Sequence, residues 1–348
     1  VIIVLLMAVI VVRTLLHQPP AAIDIEQVEI ELNETELAQH LSESIQFQTV
    51  SFQSPAYKDR SQFTGFISWV HSTFPLVHER LEYLQLNDTI LYRWPGFDAS
   101  LKPILVTGHY DVVPVIPGTE SLWKHPPFTG VIADGVIWGR GALDDKSGVV
   151  GILEATTYLL ESGYQPTRTV YLSFGHDEEI GGSEGAAAVA AYLKEQEVQL
   201  AWSLDEGSFI FDGLISGVSS LVAAVNVAEK GSINLDIVAE AEGGHSSMPP
   251  QKSAVTDLAR AITKLEENPI PGGLEGLGAE MFDTISRYMP FIPKALFANQ
   301  WLFGGLIESQ LSAAPTTNAM LRTTTAPTML SGSVKSNVSV SYTHLTLP

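Results

Sequence analysis

Four short apolar, β-branched runs in this chain are each followed at once by a cluster of ionisable residues, and helical patterns separate them. The run Lys102-Pro-Ile-Leu-Val-Thr107 leads into Gly108-His109-Tyr110-Asp111. The run 130–138, with a turn at Asp134-Gly135, leads through Gly139-Arg-Gly to Asp144-Asp145-Lys146. Residues 168–174 end in His176-Asp177-Glu178-Glu179, and 200–204 end in Asp205-Glu206-Gly207. Helical spacing marks 34–47, 61–72, 147–161 and 183–196. Strands alternating with helices predict an α/β layered domain with a mostly parallel sheet. In such a sheet, ligands gather at the carboxyl ends of the strands, so the four clusters are expected to meet in one place.

Composition limits what can sit there. The chain has 348 residues, with 39 Asp+Glu against 19 Lys+Arg, a formal net charge of −20 and no Cys. That length suffices for two domains with cores of their own. An apolar content of 45% excludes a disordered solvating polymer. The negative charge, without a basic stripe, excludes a nucleic-acid partner. Without Cys there is no disulfide, thiolate ligand or Cys nucleophile, so any metal must sit on His, Asp and Glu. Imidazole and carboxylate ligands suit zinc, with cobalt and manganese as alternatives.

His109 and Asp111 lie two apart on a strand and share a face. Asp111 can therefore hold one ring nitrogen while the other binds a metal. His-x-Asp alone is a weak pattern, and each acidic cluster taken singly reads equally as a solvated loop or a helix N-terminus. Converging together, they would repel one another strongly unless cations sat among them. Neighbouring carboxylates, one on a metal and one free to take a proton from water, are what metal-assisted hydrolysis requires.

From about Val222 the texture changes. A strand (232–241), a Gly-Gly-His-Ser-Ser-Met-Pro-Pro loop (243–250) and a helix (252–266), punctuated by Pro/Gly-rich stretches at 268–277 and 290–293, predict a second α/β unit. The expected organisation is a leader at 1–20, a first domain at 21–221, a second at 222–337 and a tail at 338–348. Residues 1–12 are an unbroken apolar run closed by Arg13, shorter than the roughly 20 residues that span a bilayer. It reads as a signal-peptide core or the end of a membrane anchor, with a buried helix or strand as the alternative. Pro19, Pro20 and the acidic stretch 24–36 then read as a tether, and the protein as exported or membrane-anchored, in a secretory or vacuolar-type setting. The tail has no closing element and reads as non-native.

The motifs HYD (109–111), GRGALDDK (139–146), HDEEIGG (176–182), LDEG (204–207) and GGHSSMPP (243–250), in this order and spacing, resemble the aminoacylase/carboxypeptidase S family of dinuclear zinc hydrolases. Within it they are most similar to the branch of carboxypeptidase S and N-fatty-acyl-amino-acid synthase/hydrolase. The likeness runs from about residue 34 to Asn337 and includes W-x-H-P-P-F at 123–128, Glu229-Lys-Gly231 and TTNAMLRTTT at 316–325. It implies a zinc-hydrolase catalytic domain with an inserted α/β sandwich lid or dimerisation domain, both incomplete at the C-terminus.

Carried over residue by residue, the resemblance has His109 and Asp205 bind one zinc and Glu179 the other. Asp144 bridges the two ions, about 3.5–4 Å apart. Glu206 competes with Asp205, because adjacent acids leave the register open by one. Glu178 would be the general base, Asp111 would orient His109, and the peptide after Asp144 would be cis. His245 would reach the active site from the lid, often that of a partner subunit in a homodimer, and polarise the scissile carbonyl. Without the resemblance, His245 reads as a loop histidine. Asn318 and Arg322 would contact the substrate carboxylate, Arg being suited to a bidentate grip. Both read equally as strand-surface residues.

The family's second zinc takes a further His from a segment beyond residue 348, so the resemblance implies that this chain as it stands lacks one ligand. The expected substrates are short peptides such as Gly-X, or N-acyl amino acids, cleaved at the amide beside a C-terminal amino acid. An aminoacylase-type deacylase of the same fold is one alternative. A non-catalytic, membrane-tethered binding domain on a decayed peptidase scaffold is another.

Overall fold

The computed structural model describes residues 1–23, 30–213, 218–333 and 335–347. It comprises two compact units, Glu26–Gly207 and Ser208–Pro348 together with Val1–Ile25. The boundary falls at Gly207, where the sequence suggests a change of texture near Val222. The acidic stretch expected to act as a tether lies partly, at 24–29, outside the described residues. The first helix, α1 (Ile2–Leu16), belongs to the second unit.

The first unit opens with α2 (Glu34–Ile45), capped by Asn33, whose side chain accepts the Glu36 N–H at 3.4 Å. Asp59 caps α3 (Arg60–Thr73) in the same way, and Pro75 opens α4 (Pro75–Arg80), where a missing N–H costs nothing. The strands β1 (Glu82–Leu86) and β2 (Thr89–Trp94) form an antiparallel hairpin that the motif reading does not include. Then come β3 (Ile104–His109), the hairpin β4 (Val131–Ala133) and β5 (Val136–Trp138), α5 (Lys146–Glu161), β6 (Val170–Gly175), α6 (Ala186–Glu195) and β7 (Trp202–Leu204). The β4–β5 turn places Asp134 at φ 54° and Gly135 at φ 74°, the left-handed pair that a two-residue hairpin demands.

The main sheet has the order β1-β2-β6-β3-β7. β3, β6 and β7 run parallel, as expected, while β1 and β2 are antiparallel additions at one edge. Both faces are covered. On β2 and β6, Ile90, Tyr92, Leu172 and Phe174 enter one core with Phe63, Phe66 and Val70 of α3 and Val149 and Leu153 of α5. Their neighbours Leu91 and Tyr171 face the opposite way, against Val189 and Leu193 of α6. Strands buried on both faces read as continuous apolar runs rather than alternating ones, and each large side chain so buried contributes about 1.5–3 kcal/mol. This two-sided burial presents the carboxyl ends of β3, β6 and β7 together.

The second unit contains β8 (Ile210–Phe211), β9 (Val222–Ala223), β10 (Leu235–Glu240), β11 (Gly244–His245), α7 (Ala254–Glu267), α8 (Gly276–Ser286), α9 (Phe291–Ala298), α10 (Gln300–Leu311), α11 (Pro315–Leu321), β12 (Met329–Ser331), β13 (Val338–Ser339) and β14 (Tyr342–Leu347). Its sheet has the order β10-β14-β12, with α7 packed on it through Leu258 and Leu345. The segment that the sequence reads as lacking a closing element therefore supplies the middle strand, with Leu345 only 1% exposed. The Pro/Gly-rich stretches at 268–277 and 290–293 lead into α8 and α9, and α8, α9 and α10 pack in succession, with α1 against α9. Among the described residues, no helix is long and apolar enough to cross a membrane.

Candidate metal centre

β3 ends at His109, which is 2% exposed, and the other strand ends bring carboxylates to its ring. His109 Nε2 lies 3.0 Å from Asp144 Oδ1, 3.1 Å from Glu206 Oε1 and 3.7 Å from Glu178 Oε2. Two overlapping sets of donor atoms lie within 4.8 Å of one another, His109 with Asp144 and Glu179, and His109 with Glu178 and Glu206. One imidazole nitrogen and several carboxylate oxygens at that spacing make an N/O donor set that suits a divalent cation such as zinc.

The other ring nitrogen is held from behind. His109 Nδ1 lies 3.0 Å from the Asp111 carbonyl and 3.3 Å from Asp111 Oδ1. Asp111 is fully buried and accepts three more hydrogen bonds: the Ser51 hydroxyl at 2.6 Å, the Glu178 N–H at 3.1 Å and the Glu179 N–H at 3.3 Å. One carboxylate thus fixes both the imidazole and the single 3₁₀ turn, Glu178–Ile180, that carries the two glutamates. That turn ends at Gly181 with φ 100°, a conformation that disfavours any side chain.

Asp144 and Asp145, joined by a cis peptide, have divided roles. Asp144 faces the cluster. Asp145 turns back, caps α5 by accepting the Gly148 N–H at 3.2 Å, and receives the His109 N–H at 3.4 Å. A Cβ on Gly108 would stand 2.6 Å from Asp145 Oδ2, so the close approach of β3 to this cap requires glycine there. Lys146, fully buried, donates to the carbonyls of Ser44 at 2.8 Å and Phe47 at 2.6 Å, tying the end of α2 to the start of α5.

The electrostatics follow from crowding acids around one ring. Burial lowers the pKa of His109, but Asp111, Glu206 and Glu178 outweigh it and push it up to about 10. Burial would raise Asp111, yet the His109 ring, the Ser51 hydroxyl and the Glu178 amide hold it below its usual value. Burial raises Glu178, His109 opposes the rise, and the charges of Asp111, Asp144 and Asp205 add to it. Burial likewise raises Glu206, with Asp145 and Asp144 adding to the effect against His109, to about 7. Glu179 moves in the same direction, from burial and Asp144. Carboxylates that resist ionisation together are the condition that a bound cation would relieve.

Of the two adjacent acids that the sequence leaves open, Asp205 and Glu206, the structure brings the second to His109. Asp205, the first choice of ligand, is in neither donor set, and its Oδ1 accepts the Glu206 N–H at 2.9 Å. The following residue, Glu206, faces His109 instead, because β7 ends at Leu204 and the chain turns there. Asp205 still lines a groove of about 920 Å³ that runs from His109 and Glu178 along the sheet to Val189 and Leu193 of α6. His109, Asp111, Asp144, Glu178 and Glu179 are brought together.

The remaining three expected site residues belong to the second unit. His245 is exposed on β11, and its Nδ1 meets the Ser247 hydroxyl at 2.7 Å. Asn318 lies on α11, a helix rather than the strand surface considered as its alternative. Arg322 follows that helix and is engaged locally, with Nη2 2.8 Å from Ser312 Oγ and 3.5 Å from Glu308 Oε1. Sequence reasoning missed Ser51, whose only signal is its hydroxyl in an otherwise ordinary loop. It also passed over Lys146, visible as the lysine after the paired acids but without an assigned role.

A family model described as peptidase family M20/M25/M40 matches residues 105–300. A carboxypeptidase S-like protein of Dictyostelium discoideum is 41% identical over 312 residues, covering 88% of this chain and 60% of its own length. An N-fatty-acyl-amino acid synthase/hydrolase of Xenopus tropicalis is 40% identical over 347 residues, covering 96% of this chain and 66% of its own. Carboxypeptidase S of Saccharomyces cerevisiae is 33% identical over 291 residues, 77% of this chain and 48% of its own. The chain thus spans about half to two-thirds of the length of these relatives. Among solved structures, an M20 family metallo-carboxypeptidase from Sulfolobus solfataricus shares the fold, with a TM-score of 0.58 at 20% identity over 90% of this chain and 70% of that one.

Proposed function

Because this chain belongs to peptidase family M20/M25/M40, we propose that it is a metal-dependent amidohydrolase that cleaves the bond between an acyl or peptidyl group and a C-terminal amino acid. The observation that carries this reading is the convergence of Asp144, Glu206 and Glu178 on one nitrogen of a buried His109 that is held from behind by Asp111. His109, Asp144, Glu179 and Glu206 are the residues that would hold the metal, and zinc is the ion the donor set fits best. A divalent cation bound there acidifies water and polarises a carbonyl oxygen.

The chain's own residues account for the proton. Glu178 lines the groove, with its side chain 56% exposed and its Oε2 3.7 Å from His109 Nε2, farther than Asp144 and Glu206. Its raised pKa brings it nearer to neutrality and makes it a stronger base than a solvated glutamate. It takes one proton from the water that attacks the amide carbon. It returns that proton to the amide nitrogen as the carbon–nitrogen bond breaks, leaving a carboxylic acid and a free amine. Asp111 keeps the His109 ring in one orientation throughout, and fixes the Glu178 backbone so that its side chain works from a constant position.

The substrates that follow are short peptides and N-acyl amino acids. The relatives, a carboxypeptidase S-like protein and an N-fatty-acyl-amino acid synthase/hydrolase, support both, and the groove beside Glu178 is open to either. The test is Glu178→Gln, assayed on a Gly-X dipeptide and on a long-chain N-acyl amino acid with metal content measured in parallel. Turnover is expected to fall about 10²–10⁴-fold with metal content unchanged. Activity within about threefold of the parent would remove Glu178 from the mechanism.

A further inference from the structure

Two sequence motifs of the first unit have no part in the proposed hydrolysis: W-x-H-P-P-F at 123–128, and the Gly139-Arg-Gly141 that opens the loop to Asp144. The fold lays them side by side. The Arg140 N–H donates to the Pro127 carbonyl at 2.6 Å, and the Arg140 guanidinium lies over the Trp123 ring, 5.3 Å from its centre. A Cβ on Gly139 would stand 2.4 Å from Ile45 Cγ2, and one on Gly141 2.5 Å from Val112 Cγ1. The backbone on either side of Arg140 is therefore clamped, while indole supports the side chain and holds it ready for a ligand.

What this arginine lacks is an acid. The chain has 39 Asp+Glu against 19 Lys+Arg, yet the Arg140 guanidinium makes no hydrogen bond or ion pair among the described residues, and its Nε is buried. Arg322 also buries its Nε without a partner, but Ser312 and Glu308 hold its Nη2. His125 of the first motif has its Nε2 buried and unpartnered as well, with its ring 5.3 Å from that of Trp138. Lys124, over the same Trp138 ring, is already paired with Asp134 at 3.1 Å. A buried donor on a charged group is destabilising until a partner arrives. A planar fork stacked on an aromatic ring is also the form in which arginine grips a carboxylate.

We propose that Arg140, resting on Trp123, is a carboxylate-binding site on the loop that leads to the metal centre. One free guanidinium matches one planar, singly charged anion, and a chain of net charge −20 repels polyanions. The loop folds back on itself, which keeps this site close to the centre. A Cβ on Gly141 would stand 3.7 Å from the Asp144 carbonyl oxygen, and the Lys146 N–H donates to the Gly141 carbonyl at 3.1 Å. Two sources share this chemistry. One is a second acidic group on a ligand of the centre, such as the side chain of a C-terminal Asp or Glu, and it rests on the proposed hydrolysis. The other is a free carboxylic acid, which does not.

The test uses neither turnover nor metal in its first arm, so its failure is separate from failure of the proposed hydrolysis. Butyrate and butyramide are titrated into the intact protein with a chelator present, and binding is followed by ligand-observed NMR. The parent is expected to prefer butyrate about tenfold or more. Arg140→Gln should abolish that preference, and Arg140→Lys, which keeps the charge but loses the fork, should keep part of it. The second arm adds zinc and compares dicarboxylates from succinate to pimelate, each with its monoamide. A diacid that binds more tightly than its monoamide at one length identifies a group carried by a ligand of the centre. Equal binding at every length identifies a free acid. The proposal is overturned if the parent binds butyrate and butyramide alike, a result that needs no variant to fold. It is equally overturned if folded Arg140→Gln keeps the preference.

Discussion

Replacing Asp111 with Asn keeps the size of the side chain and exchanges one acceptor for a donor, in a place where every partner on the two oxygens is a donor. Oδ2 receives the Ser51 hydroxyl and the Glu179 N–H, while Oδ1 receives the Glu178 N–H and faces His109 Nδ1. The Ser51 hydroxyl can rotate and the imidazole can change tautomer, but a backbone N–H cannot. Whichever position the new NH₂ takes, one amide of the Glu178–Glu179 turn is left facing a donor. A buried donor without a partner costs about 1–3 kcal/mol. The surviving bonds lose their charge assistance, which removes about 1–2 kcal/mol more. The expected loss of stability is therefore about 2–5 kcal/mol, measured as the shift in urea unfolding free energy with a chelator present. Metal affinity should fall about 10–100-fold in a competition assay, since His109 loses the partner that orients it. Unfolding within about 0.5 kcal/mol of the parent, with metal affinity unchanged, would refute the role assigned to Asp111.

The remaining expectations concern the ligand register and an unrelated histidine pair. Glu206→Gln should weaken metal binding more than Asp205→Asn, because Glu206 lies 3.1 Å from His109 Nε2 while Asp205 stands outside both donor sets. The reverse order in a chelator competition would restore Asp205 as the ligand. Away from the site, His71 on α3 stacks on His78 at 3.9 Å, and burial, with His78 beside it, lowers its pKa. The folded chain then binds fewer protons than the unfolded one below the normal histidine pKa, so stability should drop as pH falls from about 6.5. His71→Phe should flatten that part of the profile in urea unfolding between about pH 5 and 8, and an unaltered slope would exclude His71 as its source.

Much of the first unit was legible because local chemistry and global position agree there. The runs ending at His109 and Gly175 are largely apolar and at least partly buried along their length, since helices cover both sides of the sheet there, so they stand out as strands, whereas the edge strand ending at Leu204 is exposed throughout. The hairpin Glu82–Trp94 was less visible, because its outer strand, Glu82-Tyr-Leu-Gln-Leu86, breaks the polar/apolar alternation of a half-buried strand and follows closely on a helix. The helices between residues 276 and 321 were hidden by Gly and Pro at their ends and by an outer surface rich in apolar side chains. Nothing local marks residues 342–347 as a strand. Pairing with residues 235–240 on one side and 329–331 on the other makes them one.

The sequence alone limited the ligand chemistry open to the chain. Without Cys, with acids doubled at Asp144-Asp145, Glu178-Glu179 and Asp205-Glu206, and with a histidine two residues before Asp111, any metal centre is confined to N/O ligands. Which acid of a pair faces His109 was decided by tertiary structure, because adjacent residues differ by a turn of the backbone that no local rule specifies. Asp145 caps α5, and of the two acids Asp205 and Glu206, left open as alternatives by the sequence, Glu206 lies beside His109. Ser51 joined Asp111 from a loop sixty positions away in the chain. Contacts of that separation are set by how the sheet and helices pack, and packing depends on the whole chain at once.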